Sequence, residues 1–94
     1  MAVPVTYTKT ARGQFSGLEQ KLQRKFADAL SEIARDPLHP PYWLDVEPIR
    51  GMMRGWRHSL EGYRATYCVE RTKLVVLDLQ PGHEIYRKRG TPEV

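Results

Sequence analysis

The stretch "GYRATYCVERTKLVVLDLQPGH", residues 62–83, decides the fold. Its first half alternates. Tyr63, Ala65, Tyr67 and Val69 fall on one face of an extended chain, and Arg64, Thr66 and Cys68 on the other. Arg71-Thr72 turns the chain. Leu74 to Leu79 is then a nearly continuous apolar run, as expected of a strand with little solvent exposure. Pro81-Gly82 closes it. Two strands joined by a short turn favour an antiparallel pair. The pair places Arg64 away from the core, and the question it raises is why.

Upstream, Glu61-Gly62 reads as a tight turn, because glycine accepts positive φ. Gly55 to Leu60 also alternates, with Trp56, His58 and Leu60 facing the core and Arg57 and Ser59 opposite. Asp36 to Pro48 holds four of the seven prolines and reads as a rigid crossing loop, with Tyr42, Trp43 and Leu44 anchoring it to the core. Asp36-Pro37 ends a helix, since the residue before a proline avoids helical geometry. That helix is announced by Phe15, Leu18, Leu22, Phe26, Leu30 and Ile33, spaced by three and four. Ser16-Gly17 interrupts the stripe. The spacing predicts a short helix from about Lys9–Ala11 to Ser16, capped by Thr8 or Thr10, and a longer one from about Leu18 to Arg35. A single kinked helix is the alternative. Val3 to Tyr7, alternating and rich in β-branched and aromatic residues, reads as a first strand.

The predicted fold is α+β, in the order β-α-α-β-β-β. An antiparallel four-stranded sheet packs on an N-terminal helical hairpin, and the 94 residues form one domain. Neither a bilayer-spanning apolar run nor a secretory signal is visible, and one cysteine makes no internal disulfide, so a cytoplasmic location is expected. His39, His58 and Cys68 lack metal-ligand spacing, so neither metal nor other cofactor is expected. No glycine-rich phosphate loop and no Ser/His/Asp order calls for hydrolase chemistry. The net charge is +4. Arg50, Arg54, Arg57 and Arg64 fall within fifteen residues that contain one acid, Glu61, and Arg87, Lys88 and Arg89 crowd the C-terminus. Such clustering suggests one basic face and a nucleic-acid or acidic protein partner.

Five stretches in this order resemble the RelE/ParE superfamily of toxins from bacterial type II toxin–antitoxin systems: "YTKTA" (7–11), "ALSEIARDP" (29–37), "IRG" (49–51), "EGYRATYCVE" (61–70) and "KLVVLDLQPGHEIY" (73–86). The resemblance runs from Val5 to about Arg87. It implies a compact toxin neutralised by a cognate antitoxin, here expected to be acidic and partly disordered, and a toxin–antitoxin hetero-oligomer. Many members of the superfamily are ribosome-dependent mRNA endoribonucleases. A related branch poisons DNA gyrase and has no nuclease activity. A third reading is an inactive homologue kept for antitoxin binding.

For the nuclease reading the resemblance implies a catalytic set of Arg57, Arg64, His83 and Tyr86. Attack of a 2′-OH on the adjacent phosphate needs charge stabilisation, a proton acceptor, a proton donor and a platform for the displaced base. Arginine grips phosphate with paired hydrogen bonds and stays charged. Histidine titrates near neutrality. Tyr86 resembles the aromatic that stacks on a base. Ser59 stands where nuclease members often have a second basic residue, which leaves the general base unassigned. Arg54, Ser59, Arg87 and Lys88 complete the set expected to contact RNA and ribosome. Bland alternatives stand beside these roles: Arg64 pairing with Glu61 or Glu70 and His83 capping a turn, while Trp43 is open to either core packing or a stacking surface.

Overall fold

The computed structural model describes residues 2–81. Its elements are β1 (Val5–Tyr7), α1 (Lys9–Ser16), α2 (Gln20–Ala34), β2 (Val46–Pro48), β3 (Gly55–Leu60), β4 (Tyr63–Val69) and β5 (Leu74–Pro81). The expected α+β class and helical hairpin are present. The sheet departs from expectation in two respects. Among the described residues it has five strands rather than four, in the order β1-β5-β4-β3-β2, and it is mixed rather than antiparallel.

The fifth strand is β2, inside the segment read as loop. Val46, Glu47 and Pro48 pair antiparallel with His58, Arg57 and Trp56. Its proline is tolerated because β2 is an edge strand, where one side of the backbone needs no partner. The parallel pair is β1 with β5, Val5 opposite Leu74 and Tyr7 opposite Val76. This puts the last described strand in the interior of the sheet.

Two helices form, not one kinked helix. Thr8 caps α1, its hydroxyl accepting from the Ala11 N–H at 3.1 Å and donating to the Leu77 carbonyl at 2.8 Å. One side chain therefore starts the helix and ties it to β5. Leu77 is also where the sheet slips. Thr66 lies opposite Asp78 but Tyr67 opposite Val76, so Leu77 is the extra residue of a β-bulge. A second tie runs from the Leu79 N–H to the Gln14 side-chain carbonyl at 2.8 Å.

The hairpin covers one face of the sheet. Ala11 and Phe15 of α1, with Phe26, Leu30, Ile33 and Ala34 of α2, bury against Ala65, Tyr67, Val69, Leu74, Val76 and Leu79. Tyr7, Phe15 and Phe26 meet edge to face, each successive pair 5.3 Å apart between ring centroids. Each large apolar side chain so buried contributes about 1.5–3 kcal/mol. Of the three expected loop anchors, Leu44 packs against the core. Tyr42 and Trp43, expected to be anchors, are 93% and 64% exposed.

Glu61-Gly62 is the expected tight turn. Leu60 pairs with Tyr63, and both loop residues have positive φ, 49° and 85°. That is the two-residue hairpin loop whose twist matches the flanking strands. A β-branched side chain at a φ of 85° is strongly disfavoured. Gly62→Val is therefore expected to lower stability by more than about 1 kcal/mol. Urea unfolding checks this, and a variant that unfolds at the parent's midpoint would refute the strain.

Candidate functional site

Alternation along β3 and β4 delivers one set of side chains to the face away from the helices. Ser59 and Arg64 are cross-strand partners, and Gln80 of β5 continues their row. The next row is Glu47, Arg57, Thr66 and Asp78. The face is thus not uniformly basic, as the sequence had suggested. Arg57 lies next to an acid on β2 and two strands from Asp78.

Its two arginines differ in kind. Arg57 is partly buried and donates to the Glu47 carboxylate at 3.4 Å. Arg64 is exposed and forms no ion pair among the described residues. Glu61 bonds instead to Lys25 of α2, across the turn. Arg64 opens into a depression of about 270 Å³ lined by Asp45, Ser59, Leu60, Glu61, Gly62 and Tyr63. The Ser59 N–H donates to the Asp45 carbonyl at 2.9 Å, which holds the end of β2 against the site. A guanidinium without an ion pair among the described residues, a hydroxyl and a carboxylate in one open depression can bind an anion and accept a proton beside it.

Arg54 lies elsewhere. It precedes β3, in a turn where its own φ is 58°, and borders a separate groove with Leu38, Val69 and Arg71. Five residue steps along β3, about 17 Å, separate it from Ser59. The fold therefore brings Arg57, Ser59 and Arg64 together and leaves Arg54 at the far end of the sheet. His83, Tyr86, Arg87 and Lys88 lie outside the described residues. Asp45, which lines the depression, and Glu47, which pairs with Arg57, are carboxylates that sequence reasoning missed. Their signal was hidden in a segment whose prolines read as loop.

Three titratable groups behind or beside this face are shifted by burial. The Tyr67 hydroxyl has no hydrogen-bond partner among the described residues, and burial raises its pKa. Burial also raises that of the Cys68 thiol, helped by Glu70 and opposed by Lys73, so Cys68 is a poor nucleophile. His58 is 1% exposed, as its core-facing position predicts. Its Nδ1 lies 3.0 Å from the Asp45 carbonyl and its Nε2 has no partner among the described residues. Burial lowers its pKa, opposed by the Asp45 carbonyl and the Asp45 charge. A histidine kept neutral by folding takes up its proton more readily when unfolded. Stability should be full above about pH 6.5 and fall, by at most about 1.4 kcal/mol per pH unit, as the pH drops toward the lower folded value. Thermal melts between pH 7.5 and 5 should therefore slope less in His58→Leu than in the parent. Parallel slopes would show that His58 does not set this dependence.

No protein-family profile and no curated protein matches the sequence. The likenesses are to solved structures. A double mutant of the E. coli toxin RelE in the free state superposes with a TM-score of 0.75 at 19% identity, over 93% of both chains. A chain of the archaeal RelE–RelB complex from Pyrococcus horikoshii OT3 gives 0.73 at 24% identity, over 86% of this chain and 96% of that one. YoeB from Staphylococcus aureus, solved as a dimer, gives 0.71 at 13% identity, over 85% and 97%. The chain thus has the RelE-like fold, matched to RelE- and YoeB-type toxins over most of its length.

Proposed function

We propose that this RelE-like chain is the toxin of a type II toxin–antitoxin system and cleaves mRNA on the ribosome. The observation that carries the reading is Arg64, without an ion pair among the described residues, in an open depression beside Ser59 and Asp45. A guanidinium that no described carboxylate engages can take a phosphate in two parallel hydrogen bonds. Arg57, beside it on β3, adds positive charge while Glu47 orients it.

In this mechanism Arg64 stabilises the charge that develops as a 2′-OH attacks the adjacent phosphate. The Asp45 carboxylate accepts the attacking hydroxyl's proton. His83 donates a proton to the leaving oxygen, and Tyr86 stacks on the displaced base, an interaction of about 1–3 kcal/mol. Ser59 donates a hydrogen bond to the substrate. Arg87 and Lys88, with Arg54 at a distance, contact RNA or ribosome through phosphates. Neither metal nor other cofactor is required, because the proton transfers and the charge stabilisation all come from side chains.

Several of the similar structures are complexes with RelB antitoxins. By analogy this chain pairs with an antitoxin encoded beside it, an acidic and partly disordered protein that folds on binding. The deciding experiment is induced expression with mapping of mRNA ends, with DNA breaks scored in parallel. New mRNA ends within translated frames support the proposal. DNA breaks without them would identify gyrase as the target, and neither would leave a chain kept for antitoxin binding.

A further inference from the structure

A second surface lies on the helical side of the same sheet end. Lys25, Asp28, Ala29 and Glu32 follow one another along α2 at helical spacing, and with Trp43, Leu44, Leu60 and Glu61 they enclose a groove of about 400 Å³. Its floor is apolar, from Ala29, Leu44 and Leu60. Its rim is acidic, with three carboxylates against one lysine, and that lysine is bonded to Glu61. Asp28 forms no ion pair among the described residues, and Glu32 meets only the solvent-exposed Arg35 at 3.6 Å. Pairs of that kind are weak and exchangeable.

Trp43 stands over this groove, and its ring meets Tyr42 edge to face at 5.2 Å. Pro40 and Pro41 stiffen the loop that presents them, and the Leu44 N–H closes it on the Pro41 carbonyl at 3.2 Å. Two large aromatics are held in water at a fixed place, although a packed arrangement would bury more apolar area. Aromatics presented this way, with an apolar floor and a charged rim, have the composition of an interface centre.

We infer that this groove is a docking site for a basic protein segment, one that lays apolar side chains on the Ala29–Leu60 floor and an arginine or lysine against Trp43. Charge complementarity selects that occupant. The protein as a whole is +4 and repels cations, so an acid-rimmed groove beneath an exposed indole is a local exception. An acidic segment would meet Asp28, Glu32 and Glu61 with like charge. The groove does not depend on the RNA chemistry proposed for the opposite face.

The test is fluorescence anisotropy on the full chain. The probe is a capped, labelled helical peptide with leucines on one face and arginines on the other, and its counterpart has glutamates in place of the arginines. The arginine peptide should bind, more weakly as salt is raised, and the glutamate peptide should not. Trp43→Ala and the double variant Asp28→Asn/Glu32→Gln should each weaken binding about tenfold or more. Leu38→Ala, an exposed apolar position outside the groove, should leave it unchanged. The inference fails if the arginine peptide does not bind, if the glutamate peptide binds as well, or if neither groove variant differs from the parent. It also fails, in favour of a second copy of the chain, if sedimentation without peptide shows self-association that Trp43→Ala abolishes.

Discussion

Replacing Arg64 with alanine is expected to slow single-turnover cleavage of mRNA on programmed ribosomes by about 10²–10³-fold, the usual loss when one preorganised charge contact to a transition state is removed. The fold should be untouched. Arg64 is exposed, has no ion-pair partner among the described residues, and lies on the face away from the core. Arg64→Lys should recover part of the rate, because an ammonium supplies charge without the paired hydrogen bonds. A melting temperature equal to the parent's, together with lost cleavage, would place the effect on the chemistry. Unchanged cleavage by Arg64→Ala would remove the depression as the reaction site.

Replacing His83 with alanine is expected to cost about 10²–10⁴-fold, the range for loss of one positioned acid–base group. A second signature separates it from Arg64. The parent's pH–rate profile should carry a near-neutral limb from the imidazole, which His83→Ala removes and Arg64→Lys leaves in place. Full cleavage by His83→Ala would exclude it as the proton donor. Undiminished toxicity of both variants, with gyrase-linked DNA breaks, would move the target from mRNA to gyrase.

Local order made much of this structure legible. The apolar spacing from Phe15 to Ile33 gave both helices, and Ser16-Gly17 marked the break between them. Strict alternation in Tyr63–Val69 separated Arg64 from the core, and the Glu61-Gly62 turn followed from one glycine. What escaped was non-local. Strand β2 is three residues long, ends in proline and draws its order from β3, so nothing in its own composition announces it. Asp45 and Glu47 were missed with it. The pairing of β1 with β5 depends on residues far apart in sequence, which periodicity does not report. Arg54 fell out of the cluster because a turn with positive φ, unmarked by a glycine at that position, places it at the opposite end of β3.

The interior position of β5 bears on how the protein is made. A chain emerging from the ribosome presents β1 early and holds it without its partner until Leu74 and its neighbours have been synthesised. Until then the facing edges of β1 and β4 both lack their ladder, and Thr8 has no Leu77 carbonyl to bind. The sheet closes only when the last described strand slides between two that are already waiting, a step with a high loop-closure cost and a slow expected rate. Arg64 acquires its Gln80 neighbour in that same step. A cell that makes this protein therefore has an interval between translation of the arginines and assembly of the surface that carries them, and a partner present at synthesis can act within it.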